Sequence, residues 1–84
     1  LNFIEDYEKN VESEIIQREE KRNIDMAISR LNENQRAVIL MFYMEELSIK
    51  DISKYLNIPE GTVKSRLNSG RKILKKELEG EKFE

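Results

Sequence analysis

The sequence contains no cysteine and no histidine, and their absence excludes several kinds of chemistry. Disulfide bonds and the usual zinc sites need these residues, and acid–base catalysis by an imidazole needs histidine. No stretch approaches the ~18 consecutive apolar residues of a membrane-spanning helix, and no signal-peptide pattern occurs. We therefore expect no metal, no cofactor, no membrane contact and a cytoplasmic location.

Residues that interrupt helices are also scarce. The 84 residues include one proline and three glycines, and 38% of them are charged. A chain of this length buries only about 60–65% of its unfolded surface, so it can form one small core. The composition predicts an all-α fold, which we expect to be a small domain of four helices. The chain begins at Leu1 rather than at methionine, so we expect a piece of a longer protein.

The charged residues are sorted along the chain. Residues 1–33 hold nine acids and five bases, whereas residues 64–84 hold four acids and seven bases. Between Lys64 and Lys76 there are six basic residues and no acid, although the net charge of the chain is −2. A local basic face can attract phosphates whatever the total charge, so this segment is the candidate nucleic-acid surface.

The middle of the chain has the pattern of two helices joined by a tight turn. Ser48 can cap the first helix, with Asp51 at the capping-box position. Asn57 tolerates the left-handed conformation and can end this helix. Pro59 suits the first turn of a second helix, which we expect to continue to about Leu78. This is the layout of a helix-turn-helix that binds duplex DNA, and nothing indicates an added wing.

The second helix of this motif, here called the recognition helix, has one apolar stripe. Its members are Val63, Leu67, Gly70 and Leu74. Gly70 predicts a close approach of another backbone, or else a weak point in the helix. Side chains near the start of such a helix contact base edges, and flanking basic residues contact phosphates. The first role suits Lys64, Ser65 and Asn68, and the second suits Arg66, Arg71 and Lys72.

Three segments carry a family resemblance: residues 31–38, 47–53 and 56–67. The string Pro-Glu-Gly-Thr-Val-Lys-Ser-Arg-Leu that begins at Pro59 is the most specific part. Together they resemble region four, the C-terminal domain of bacterial RNA polymerase sigma factors, and especially the extracytoplasmic-function group. The resemblance covers about two-thirds of the chain.

The resemblance implies that the recognition helix binds the −35 element of promoter DNA. It also implies docking on the β flap of the RNA polymerase core, with an anti-sigma protein as a possible partner. Many members of the family have Arg-Ala-Arg where this chain has Ser69-Gly70-Arg71. The positions that match the family's DNA contacts are Lys64, Ser65, Arg66, Asn68, Ser69 and Arg71.

Eight consecutive apolar residues, from Ala37 to Met44, follow a predicted helix cap at Asn32. One helix face cannot hold them all. This helix is therefore either the central core helix or one that also meets a partner. In the second case Met41 or Met44 would lie in a surface groove as an adaptable contact, so both methionines are candidate partner-binding residues.

We divide the chain into three parts: an acidic linker or N-terminal helix extension over residues 1–23, a sigma region-4-like helix-turn-helix domain over residues 24–80, and a frayed tail over residues 81–84. Within the first part, a partly ordered linker is preferred for residues 3–15. The first helix is expected from about Ser13 to Leu31, and Gly80 is the expected stop of the last one.

Two other functions stay open. An output domain of a LuxR-type response regulator has a similar Gly-Thr-Val-Lys run, but it commonly has histidine where Arg66 stands. A sigma-like adaptor would bind a protein through its apolar second helix instead of DNA. We expect no enzyme and no small-molecule substrate, because the chain has neither a glycine-rich phosphate loop nor a nucleophile–base pair.

Overall fold

A computed structural model describes residues 2–82, with side chains for residues 13–80. It consists of four helices: α1 (Asn2–Ser29), α2 (Glu33–Tyr43), α3 (Ile49–Leu56) and α4 (Glu60–Lys82). Residues 2–82 contain no β-strand and hence no wing. The predicted all-α fold with four helices and a helix-turn-helix, formed by α3 and α4, is confirmed. No helix in this range is long and apolar enough to cross a membrane.

The recognition helix, α4, packs against each of the other three helices. The buried residues of the shared apolar core are Leu31, Val38, Ile39, Ile52, Val63 and Leu67. Full burial of an aliphatic side chain of this size contributes about 1.5–3 kcal/mol to stability. Only the apolar stripe of α4 is buried in this core, so the other faces of the helix can make further contacts.

Helix α2 packs against α4 around Gly70. Three residues of α2, each one turn from the next, contact three successive residues of α4: Gln35 with Ser69, Ile39 with Gly70, and Tyr43 with Arg71. The row of these three residues along α2 thus lies across α4. A Cβ atom at Gly70 would stand 3.0 Å from Cγ1 of Ile39, so a side chain of α2 approaches this glycine closely where the sequence predicted a backbone.

The helix starts follow their capping signals. At α2 the full box forms: Gln35 N donates to Asn32 Oδ1 at 2.8 Å, and Asn32 N donates to Gln35 Oε1 at 3.2 Å. At α3, Ser48 Oγ accepts from Asp51 N at 3.0 Å. No reciprocal bond from the Asp51 carboxylate is present in the described part of the chain, consistent with a side chain one methylene shorter than that of glutamate. Asn57 ends α3 with φ 55° and ψ 48°, as predicted.

The predicted limits of α1 are wrong. The helix begins at Asn2 instead of near Ser13, and the backbone of residues 3–15 is helical rather than a linker. Glutamate, lysine, arginine and glutamine are good helix formers, and this segment has no glycine or proline to interrupt them. The helix ends at Ser29, before Leu31, because the chain then turns to the extended backbone of the cap at Asn32.

The predicted stop of α4 at Gly80 is also wrong, since the helix continues to Lys82. No glycine in the described range has a positive φ, so Gly80 does not take the left-handed conformation that would end the helix. Phe83 and Glu84, the rest of the predicted tail, lie outside the described residues. Helical periodicity predicts Tyr55 on the apolar face of α3, but this residue is 75% exposed.

Arg36 makes hydrogen bonds that could not be predicted from the sequence. Its guanidinium donates to the carbonyl oxygens of Ile28, Ser29 and Leu31 at 3.3, 3.0 and 2.6 Å. The last carbonyl groups of a helix have no partner within it. A residue of α2 thus satisfies the end of α1 and fixes the angle between the two helices.

Candidate nucleic-acid interface

The turn between α3 and α4 is fixed by a reciprocal pair of hydrogen bonds. Ser53 Oγ donates to Ile58 O, and Ile58 N donates to Ser53 O at 3.1 Å. Pro59 follows, and its carbonyl accepts from Thr62 N at 3.0 Å and from Val63 N at 3.2 Å, which starts α4. The turn is therefore bonded both to the end of α3 and to the start of α4, and these hydrogen bonds fix the angle between the two helices.

The outer face of α4 is polar. At about 100° per residue, Ser65, Asn68 and Lys72 lie opposite the buried Val63 and Leu67. All three polar residues are exposed. The exposed Lys64, Lys75 and Lys76 lie beside them. The structure thus brings most of the predicted DNA-binding residues onto one surface.

Two of the predicted residues lie nearer the core. Arg66 and Ser69 are both half-buried. Ser69 Oγ donates to the carbonyl of Arg66 and accepts from Gln35 Nε2, each at 3.2 Å. The hydroxyl of Ser69 therefore takes part in the contact between α2 and α4, away from the centre of the outer face.

Arg71 is exposed but held in place by side chains from two helices. Its Nε donates to the hydroxyl of Tyr43 at 2.6 Å, and its Nη1 donates to Asn68 Oδ1 at 3.4 Å. The guanidinium carbon lies 5.5 Å from the ring centroids of both Phe42 and Tyr43, within the range of cation–π attraction. The sequence does not predict this group, since Tyr43 and Arg71 are far apart along the chain.

Among the side chains of residues 13–80, no carboxylate forms a salt bridge with a basic residue between Lys64 and Lys76. The salt bridge between described side chains joins Arg30 to Glu77 at 3.1 Å, and no other is found among residues 13–80. It lies outside the segment from Lys64 to Lys76. The ammonium and guanidinium groups of that segment are thus available to phosphates. Among the same residues, no group of three acidic side chains could hold a metal ion.

An apolar groove of about 270 Å³ lies between α1, α2 and α4. Its lining residues are Ile24, Ile28, Ile39, Leu40, Tyr43, Met44, Leu74 and Leu78. Met44 is 63% exposed and lines the groove, whereas Met41 is half-buried against the core and does not. Of the two predicted partner-binding methionines, Met44 therefore lines this groove and Met41 does not.

Comparison with known proteins gives consistent results. The model of the family described as Sigma-70, region 4 matches residues 21–74. The chain is 40% identical over 67 residues to the ECF RNA polymerase sigma factor SigW of Bacillus subtilis, covering 80% of this chain and 36% of that protein. It is 34% identical over 64 residues to SigX of the same organism, covering 76% and 33%. The chain thus spans about a third of the length of the curated relatives it matches.

Proposed function

Because the chain belongs to the Sigma-70, region 4 family, we propose that it recognises promoter DNA at the −35 element, with α4 in the major groove. Members of this family are domains of transcription initiation factors, which are not enzymes. The observation that carries the proposal is the outer face of α4, which is exposed, basic and free of carboxylate partners among the described side chains. Action on the chromosome would place the protein in the cytoplasm.

The roles of individual residues follow from their places on α4. A major groove about 12 Å wide admits one helix, whose first turns approach the base edges. We assign Lys64, Ser65 and Asn68 to base contacts. The residues assigned to phosphate contacts are Arg66, Arg71 and Lys72. Ser69 stays in the proposed interface, but the hydrogen bonds of its hydroxyl to α2 and α4 suit positioning better than a base contact.

The proposal predicts that two kinds of substitution differ in effect. Lys64→Ala and Ser65→Ala should weaken binding to the preferred duplex by about 1–3 kcal/mol, and should weaken binding to a scrambled duplex less. Lys72→Ala should weaken binding to both duplexes alike and lower the slope of log affinity against log salt by about one. Fluorescence anisotropy with the two duplexes measures both effects.

Lys21→Ala is the matched control for these variants. Lys21 is an exposed lysine of α1, and it lies outside the basic segment of α4. It should change the affinity for either duplex by less than about twofold. Unchanged sequence preference in Lys64→Ala, or a loss in Lys21→Ala as large as in Lys72→Ala, would count against α4 as the recognition helix.

We further propose that the apolar groove docks the β flap of the RNA polymerase core. An exposed apolar surface of this kind is typical of a protein interaction site, and methionine adapts its shape to a partner. Met44 and Tyr43 supply its exposed rim, at 63% and 54% exposure. An anti-sigma protein that covers either surface stays a prediction.

Docking is tested by placing a charge in the groove. Met44→Asp should weaken binding of this chain to an isolated β-flap fragment by at least about tenfold, because the carboxylate would be buried without a partner. Met26→Asp is the matched control, since Met26 is also a half-exposed methionine (46%) but does not line the groove. Calorimetric titration gives both affinities. Equal losses in the two variants would contradict the assignment of the groove.

A further inference from the structure

We infer that Tyr43 of α2 is a positioning residue for DNA contact, acting on the recognition helix through Arg71 and Asn68. The inference rests on the proposed function and adds to it a residue that lies outside the helix-turn-helix. It starts from one contact between helices: the Tyr43 hydroxyl accepts a hydrogen bond from Arg71 Nε at 2.6 Å.

The aromatic rings of Phe42 and Tyr43 both contact the guanidinium of Arg71. The rings of Phe42 and Tyr43 meet edge to face, with centroids 5.1 Å apart and planes at 77°. The guanidinium carbon of Arg71 lies 5.5 Å from each centroid. A charge-assisted hydrogen bond and two cation–π contacts thus act on a single side chain.

This arrangement prepares Arg71 for a phosphate. An arginine side chain loses rotamer freedom when it binds a ligand, and this loss lowers affinity. Tyr43 restricts that freedom before DNA arrives. Its bond takes up the Nε–H group and leaves terminal N–H groups of the guanidinium for a phosphate oxygen, since a guanidinium carries five donors.

The same arginine orients Asn68 on the outer face of α4. Arg71 Nη1 donates to Asn68 Oδ1 at 3.4 Å. Because a guanidinium only donates, the amide oxygen of Asn68 faces Arg71 and its amide nitrogen points elsewhere. An amide nitrogen is a donor, and the major groove offers acceptors on guanine, adenine and thymine. Tyr43 thereby affects both a phosphate contact and a base contact.

Tyr43 is suited to a clean test because it is not a core residue. Its side chain is 54% exposed, and Tyr43→Phe removes only the hydroxyl while keeping the ring in place. The chain should therefore fold as before. A thermal unfolding curve for each variant checks that the substitution leaves stability unchanged.

The experiment is a double-mutant cycle measured with the tightest-binding duplex recovered from a randomised pool. Tyr43→Phe should lower affinity by about three- to tenfold, the range expected for one hydrogen bond. In an Arg71→Ala background the same substitution should change nothing, because alanine carries no donor for the Tyr43 hydroxyl. Tyr43→Phe should leave the salt slope unchanged, whereas Arg71→Ala should lower it by about one.

Three results would overturn the inference. These are an equal loss from Tyr43→Phe with and without Arg71, no loss in either background, and a gain in affinity, which would mean that Tyr43 withholds Arg71 from DNA. Failure of the proposed function looks different: the unmodified chain would then bind no duplex at low salt, and the inference would fall with it.

Discussion

Two residues have a left-handed backbone and so set the direction in which the chain continues: Glu46, in the loop after α2, and Asn57, the C-cap of α3. Glu46 has φ 57° and Asn57 has φ 55°. The left-handed conformation costs an ordinary L-residue about 1–2 kcal/mol, and asparagine tolerates it better. Glu46 is held there because its neighbours bond back into α2, with Glu45 N to Leu40 O at 3.2 Å and Leu47 N to Met41 O at 3.0 Å.

This strain predicts a stabilising substitution. Glu46→Gly should raise the free energy of unfolding by about 0.5–1 kcal/mol, because glycine adopts a positive φ without steric cost. Glu45→Gly is the matched control, since Glu45 is also an exposed glutamate of the same loop but is not among the residues with positive φ. It should lower stability by a similar amount. Urea denaturation measures both, and equal losses would contradict the assigned strain.

Prediction from sequence succeeds at single residues where the side chain itself gives the signal. Asn57, Ser48 and Asn32 are recognised because their side chains favour caps and turns. Glu46 adopts the same left-handed conformation as Asn57, yet glutamate carries no such preference. Its conformation results from the hydrogen bonds of the residues around it, and these depend on the packed structure.

At the scale of helices, the crossing of α2 over α4 positions the recognition helix. Ile39 is buried and faces Gly70, where a Cβ atom would lie 3.0 Å from its Cγ1 atom and 3.3 Å from its Cδ1 atom. Glycine is unfavourable within a helix by about 1 kcal/mol relative to alanine. The chain therefore accepts a weaker helix at this point so that α2 and α4 can approach closely.

The crossing predicts a difference between two glycine-to-alanine substitutions in α4. Gly61 is exposed, and a Cβ atom there would have no neighbour within 4 Å. Gly61→Ala should therefore be neutral or stabilising, by up to about 1 kcal/mol. Gly70→Ala should be less favourable than Gly61→Ala by about 1–3 kcal/mol, because the added methyl must displace the buried Ile39.

Denaturation midpoints of the two variants measure this difference. If Gly70→Ala stabilises the chain as much as Gly61→Ala does, the helices do not approach as described. DNA affinity supplies a second readout. Gly70→Ala should shift α4 relative to Tyr43 and weaken binding to the preferred duplex, whereas a glycine required only for flexibility would leave affinity unchanged.

The starts of α2 and α3 are predictable from sequence, whereas the start of α1 and the end of α4 are not. Caps at Asn32 and Ser48 mark the starts of α2 and α3 by local hydrogen bonds. The continuation of α1 back to Asn2 and of α4 past Gly80 depends on summed helix propensity, which changes gradually along the chain. Periodicity predicts a helix only where an apolar face recurs. Residues 13–23 are exposed and mostly polar, so periodicity gives no signal there.

At the scale of the whole molecule, the distribution of charge reconciles a net charge of −2 with the proposed DNA-binding surface. The acids are concentrated before residue 34, and the lysines between Lys64 and Lys76 lie together on an exposed face of α4. This sorting is visible in the sequence, so the location of the candidate site could be predicted. The contact of Tyr43 with Arg71 could not, because it joins residues of two helices that meet only in the folded chain.

The apolar groove shows the same limit. The run from Ala37 to Met44 indicates a helix with more apolar residues than one face can hold, and α2 serves both the core and the groove. Which methionine is exposed depends on the rotation of α2 about its axis. That rotation is set by its contacts with α4, and the structure places Met44 rather than Met41 at the surface.

The claim that α4 recognises promoter DNA is tested most directly by binding of this chain to duplexes with a randomised site of −35 length, at low salt and at higher salt. One short motif should be selected, and log affinity should fall linearly with log salt concentration. Binding without selection would confine the role of α4 to phosphate contacts. No binding at low salt would contradict the claim, and would favour an adaptor that uses the apolar groove to hold a protein.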